Sequence, residues 1–182
     1  MSTLLVFGGS RGAQSINTAV IELLPKLVED GVQVIHVTGT LDHDRVAEAT
    51  TDFDVENGYH QMAYLHGAEM GLALAAADLV LSRSGAGALG EFPLFALPSI
   101  LVPYPYAWRY QKVNADYLAA RDAAVVLADE DMAEKLYDTI NALFTNPARL
   151  ATMRDNVADM AQPGSSRRVA AVLAQLAGEG DG

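Results

Sequence analysis

The residues of this chain best suited to chemistry sit in two glycine-rich turns and in the segments just behind them. The first turn is Gly8-Gly9-Ser10-Arg11-Gly12-Ala13. Glycines let backbone turn tightly and come close to a ligand. Where such a turn opens a helix, its free amides and the helix dipole favour an anion, and Ser10 adds a hydroxyl donor. The spacing is not G-x-G-x-x-G, and no acidic residue closes the next apolar run, so a dinucleotide is disfavoured. A turn that only joins two elements fits the same residues.

The second turn is Ser82-Arg83-Ser84-Gly85-Ala86-Gly87, again between an apolar run and a helical pattern. Two such turns at one sheet edge would aim two helix N-termini at a common diphosphate. Glu91 falls one helical turn further on, where a carboxylate accepts hydrogens from ribose hydroxyls or stands as an exposed helix glutamate. The segment Val102 to Asn114 is rich in proline and tyrosine. Within it Gln111 and Asn114 share a helix face, and neutral amides suit sugar hydroxyls or helix capping. His36 precedes Thr38 and Gly39, where it either faces a cleft or packs as a hydrogen-bonded core histidine. His43, His60 and His66 have no ligand spacing, so no metal site is expected. No Ser/His/Asp set and no carboxylate pair at reacting distance appears. The chain reads as a binding site with no catalytic residue assigned.

These turns need elements to hold them. Apolar runs at 4–7, 32–37, 59–65, 79–81, 99–102 and 124–127 predict six strands. Helical spacing predicts a helix from Ile16 toward Pro25 and Gly31, and others over 42–49, 70–77, 86–95, 110–120, 131–144, 147–161 and 165–177. Pro93 is expected to kink its helix. Strands alternating with helices call for an α/β fold, a Rossmann-like doubly wound parallel sheet. Its ligands sit beyond the carboxyl ends of the strands, after strands one, two, four and five.

The chain has 182 residues and no cysteine, which excludes disulfides and thiolate chemistry. A net charge of −11 opposes nucleic acid and anionic membranes as general partners. No apolar run reaches the length of a membrane span, and no signal peptide is read at Met1, so a cytoplasmic domain is expected.

Taken in order, both turns, Asn17, His36-Val37-Thr38-Gly39, Ala77 to Ala86, Glu91, Leu97 to Pro103, and Gln111 with Asn114 resemble the carboxyl-terminal domain of the MurG family. These are N-acetylglucosaminyltransferases that complete lipid II in peptidoglycan synthesis. The resemblance spans about residues 4–128. It implies half of a glycosyltransferase B-type fold, with residues 1–177 holding UDP-N-acetylglucosamine and 178–182 a disordered tail. It implies Gly9, Ser10, Arg11 and Gly12 near the phosphates and the Leu65 backbone on uracil. Ser84, Gly85, Ala86, Gly87 and Ala88 would meet the diphosphate, Glu91 the ribose, and Gln111 with Asn114 the sugar hydroxyls. Reaction is by direct displacement with inversion, without cofactor or metal. The chain departs from the family at Ala88, where threonine is usual, and at Ala96, where glycine is common.

The family's amino-terminal domain binds the lipid-linked muramyl-pentapeptide acceptor and the membrane, and nothing in this chain matches it. The expectation is a domain separated from that half, binding donor but not transferring sugar alone. The whole enzyme would work at the cytoplasmic face of the inner membrane. Two other arrangements share the pattern: a stand-alone nucleotide-sugar subunit with a separate membrane partner, and half of a sugar-nucleotide epimerase. The last helix, with Val169, Val172, Leu173 and Leu176, is expected to bare an apolar stripe that drives self-association.

Overall fold

The computed structural model describes residues 1–8, 13–106 and 110–179. Six strands form one parallel sheet: β1 (Thr3–Phe7), β2 (Gln33–Val37), β3 (Tyr59–Met62), β4 (Leu79–Ser82), β5 (Ser99–Leu101) and β6 (Ala124–Val126). Their spatial order is β3-β2-β1-β4-β5-β6. The chain winds outward from β1 in one direction and from β4 in the other, as the expected doubly wound fold requires.

The central strands β1, β4 and β5 are mainly apolar on both faces because helices cover both faces. Leu4, Val6, Val34, Leu79, Leu81 and Ile100 pack on one side. There they meet α1 (Gln14–Glu29) and α6 (Met132–Phe144), through Ile16, Val20, Leu24, Leu136 and Ile140. Leu5, Val37, Val80 and Leu101 face the other way. They meet α3 (Gly67–Ala76), α4 (Ala86–Leu94) and α5 (Tyr110–Ala119), through Leu74, Phe92 and Leu118. Between β2 and β3 lies α2 (His43–Ala49). The helix α7 (Pro147–Ala158) joins the two layers, with Met153 in the first and Val157 in the second.

Five expectations are corrected at element ends. α1 runs through Pro25 to Glu29, because buried Leu24 and Leu27 flank the proline and hold the helix across its missing N–H. β3 stops at Met62, three residues short of the expected Leu65, and α3 starts at Gly67 where 70 was expected. His66 caps α3 there: its backbone N–H donates to the Glu69 carboxylate at 3.0 Å. Pro93 lies in the last turn of α4, one residue from its end. α8 (Ser165–Glu179) continues two residues into the tail expected at 178–182; residues 180–182 are outside the described part.

α4 closes in a left-handed turn. Leu97 N–H donates to Phe92 C=O at 2.9 Å and Ala96 N–H to Pro93 C=O at 3.1 Å. Ala96 carries the positive φ of 50° that this motif demands. The apolar side of α8 is bare: Val169, Val172, Leu173 and Leu176 are each more than half exposed.

Candidate functional site

β1 and β4 are neighbours although far apart in sequence, and Phe7 pairs with Ser82. That register brings Gly8 and Ala13, the described ends of the first turn, beside the second turn at the carboxyl edge, where the winding reverses. A cleft of about 890 Å³ opens there. Gly8, Ala13 and Ser15 line it from the first turn, Arg83, Gly85, Gly87 and Ala88 from the second. Glu91, Tyr104, Tyr106, Gln111 and Asp129 complete the wall.

Both helices that start at the cleft lack a side-chain cap. Ala13 precedes α1 and Gly85 precedes α4, and neither helix has a capping hydrogen bond from a side chain. The first amides of a helix have no intrahelical partner, so the starts of α1 and α4 leave donors and partial positive charge at the cleft. Glu91 is exposed, and its carboxylate folds back along α4. A Cβ added to Gly87 would lie 3.3 Å from Glu91 Oε2. Glycine at 87 therefore leaves room both for backbone approach and for that carboxylate.

The expected site residues do not all come together. Gly85, Gly87, Ala88, Glu91 and Gln111 line the cleft. Ser84 and Asn114 stand behind it and brace it: Ser84 Oγ donates to Gln111 C=O at 2.7 Å, and Asn114 Nδ2 donates to Ser84 C=O at 2.9 Å. The Gln111 side-chain oxygen accepts from Tyr104 N–H at 2.8 Å, which fixes its amide at the rim. Ala86 is exposed on the first turn of α4. Leu65 follows β3, two strands from the switch point, and packs against the α3–α4 layer. Gly9, Ser10, Arg11 and Gly12 lie outside the described residues.

Sequence reasoning passed over a polar cluster on the cleft floor. Arg83 is 8% exposed at the end of β4. Its guanidinium donates to Val102 C=O at 3.1 Å, to Ser15 Oγ at 2.7 Å and to the Asp129 carboxylate. Ser15 Oγ in turn donates to Asp129 Oδ1 at 3.0 Å. The Tyr104 ring lies over the guanidinium, 5.3 Å away. Arg83 stands inside the Ser-Arg-Ser-Gly turn, and that position was its signal. Asp129 carried none, since only the fold brings it to Ser15.

His36 is not in the cleft. It is buried between Asn17 Oδ1 and Tyr59 OH, each 3.0 Å from a ring nitrogen. Asn17 Nδ2 donates to Thr38 C=O and to Asp42, so Asn17 Oδ1 is left as an acceptor. Nε2 of His36 must then carry the proton, and Nδ1 accepts from Tyr59. Burial lowers its pKa to about 4; Asp42 opposes that shift and Arg45 adds to it. Among the described residues, no group of three or more acidic or histidine side chains is arranged to hold a metal ion. No described helix is long and apolar enough to cross a membrane.

Known proteins resemble both the sequence and the fold. Relatives from Roseiflexus sp. (strain RS-1) and Bacillus subtilis (strain 168) are 39% and 32% identical over 97% and 96% of this chain. Both are named UDP-N-acetylglucosamine--N-acetylmuramyl-(pentapeptide) pyrophosphoryl-undecaprenol N-acetylglucosamine transferase. This chain spans about half the length of the curated relatives it matches, 44% and 48% for these two. The crystal structure of Acinetobacter baumannii MurG superposes with a TM-score of 0.80 over 96% of this chain and 52% of that one, at 23% identity. A UDP-GlcNAc 2-epimerase from Neisseria meningitidis, bound to UDP-GlcNAc, gives 0.68 at 12% identity over 96% of this chain and 44% of that one. At those identities the likeness is one of fold. The family resemblance read from the sequence holds: residues 3–169 match the glycosyltransferase family 28 C-terminal domain, and the chain belongs to that family.

Proposed function

We propose that this chain is the donor-binding half of an inverting N-acetylglucosaminyltransferase. It holds UDP-N-acetylglucosamine, and the full enzyme passes the sugar to a lipid-linked muramyl-pentapeptide at the cytoplasmic face of the membrane. One observation carries the reading: the uncapped first turn of α4 faces Gly8 across the β1/β4 switch point, with Glu91 one turn behind it. The names of the sequence relatives supply the substrate class.

Residue roles follow from position. Amides near Gly85 to Ala88 meet the diphosphate from one side, and the turn carrying Gly9, Ser10, Arg11 and Gly12 meets it from the other. Helix N-termini compensate this charge without a metal. Glu91 accepts hydrogens from the ribose hydroxyls. Gln111, its carbonyl held by Tyr104, offers its amide N–H to the sugar. Leu65, beyond β3, takes the uracil at the far end of the donor. Asn114 holds the Ser84 carbonyl and so acts on the loop.

Donor binding alone does not transfer sugar, and on this reading the acceptor site belongs to an amino-terminal half. The chain therefore binds donor and turns it over only together with an amino-terminal half, which also brings the membrane surface. Titration calorimetry tests the reading. UDP is expected to bind more tightly than ADP, and Glu91→Ala to weaken UDP. A carboxylate–hydroxyl contact contributes about 1.5–3 kcal/mol, a loss of roughly tenfold or more. UDP binding no tighter than ADP would refute the proposal, as would efficient transfer by this chain alone.

A further inference from the structure

We infer that Arg83 is a positioning residue of the cleft, clamping the loops that bind phosphate without itself serving as a phosphate ligand. The inference rests on the donor-binding reading above.

The guanidinium reaches three segments separated in sequence. Ser15 is in the first turn of α1, Val102 immediately follows β5, and Asp129 follows β6. Tyr104, in the loop after β5, covers its face. A second chain of bonds starts at the neighbouring residue: Ser84 holds Gln111, Asn114 holds Ser84, and Gln111 holds Tyr104. Residues 83 and 84 thus fix the start of α4 against α1, α5 and the β5 and β6 loops together.

The chemistry suits clamping. A planar guanidinium presents several donors in a fixed fork, which a lysine ammonium cannot reproduce across three acceptors. A buried ion pair is weak evidence for stability, since desolvation offsets its attraction. Here it is also hydrogen-bonded through a third group: Ser15 Oγ accepts from Arg83 and donates its own hydrogen bond to Asp129. A carboxylate on the floor of an anion-binding cleft repels phosphate directly. Asp129 therefore makes sense as the anchor that keeps Arg83 turned toward the loops.

The two roles predict opposite signs. If Arg83 met phosphate directly, Asp129→Asn would remove a competing anion and leave UDP binding equal or tighter. Arg83→Lys would keep the charge and most of the affinity. As a positioning residue, Arg83 loses its anchor in the first variant and its fork in the second. Both are expected to weaken UDP roughly tenfold, with uridine much less affected, and the double variant is expected to be little worse than Arg83→Lys. Hydrogen exchange on the ligand-free chain gives a readout independent of UDP: amides 84–88 are expected to exchange faster in both variants. Wild-type chain that fails to bind UDP would sink the donor reading alone, and exchange would still decide the role of Arg83. Unchanged exchange at 84–88 in Asp129→Asn, or UDP bound as tightly as by wild type, overturns the inference. If either variant fails to fold, the other carries the test.

Discussion

Protonating His36 should destabilise this domain as the pH falls into the acidic range, and the size of the effect can be worked from the site. The ring is buried and neutral, with Nδ1 accepting from Tyr59 OH and Nε2 donating to Asn17. A second ring proton would face the Tyr59 hydroxyl and place a buried charge in the β2–β3 layer. The pKa accordingly falls from 6.5 to about 4, mainly through burial. Because the folded pKa is the lower one, the unfolded chain binds the proton first. The stabilisation is complete above pH 6.5 and is lost as the pH falls toward 4. At roughly 1.4 kcal/mol per pH unit, the loss over that window is about 3 kcal/mol from one side chain. Urea unfolding followed by circular dichroism at intervals from pH 7 to 4.5 measures it. His36→Gln keeps a donor and an acceptor but does not titrate. It is expected to be less stable at pH 7, and to lose less stability on acidification than wild type. Parallel pH profiles for the two proteins would refute the argument.

Other substitutions follow from geometry. Gly87→Ala is expected to weaken UDP modestly, by less than Glu91→Ala does, because the new Cβ lies 3.3 Å from Glu91 Oε2 and shifts the carboxylate slightly. The same change should leave stability equal or raise it by roughly 0.5–1 kcal/mol, since alanine replaces glycine in a helix; calorimetry and a thermal melt separate the two effects. Ala96→Gly should stabilise the chain by about 1 kcal/mol and raise Tm by roughly 2–4 °C, since φ is 50° and only glycine adopts it freely. An unchanged or lower Tm would count against strain there. The bare stripe on α8 predicts self-association with rising concentration, reduced by Leu173→Lys; a strict monomer in light scattering contradicts it.

Much of this fold could be read along the chain, for a physical reason. Strands buried on both faces appear as short apolar runs such as Leu4 to Phe7 and Leu79 to Leu81, and alternation with helices leaves few topologies. Both glycine-rich turns, Glu91 and Gln111 were visible because their chemistry is local. What stayed hidden depends on tertiary contact. His66 caps α3 with Glu69 although histidine is no standard capping residue, so the helix start and the end of β3 were misplaced. Pro25 reads as a stop, yet packing of Leu24 and Leu27 carries α1 past it. Arg83 and Asp129 are 46 residues apart, and only the parallel order of β4, β5 and β6 brings them together.

The claim beneath the whole account is that the start of α4 and the turn after β1 face one diphosphate. Amide NMR during a UDP titration tests it most directly. The account predicts the largest shifts at Gly8 and at Gly85 to Ala88, saturating together, with uridine alone shifting them far less. Shifts centred elsewhere, such as the groove beside Gly31 and Phe144 at the opposite sheet edge, with 85–88 unmoved, would contradict it.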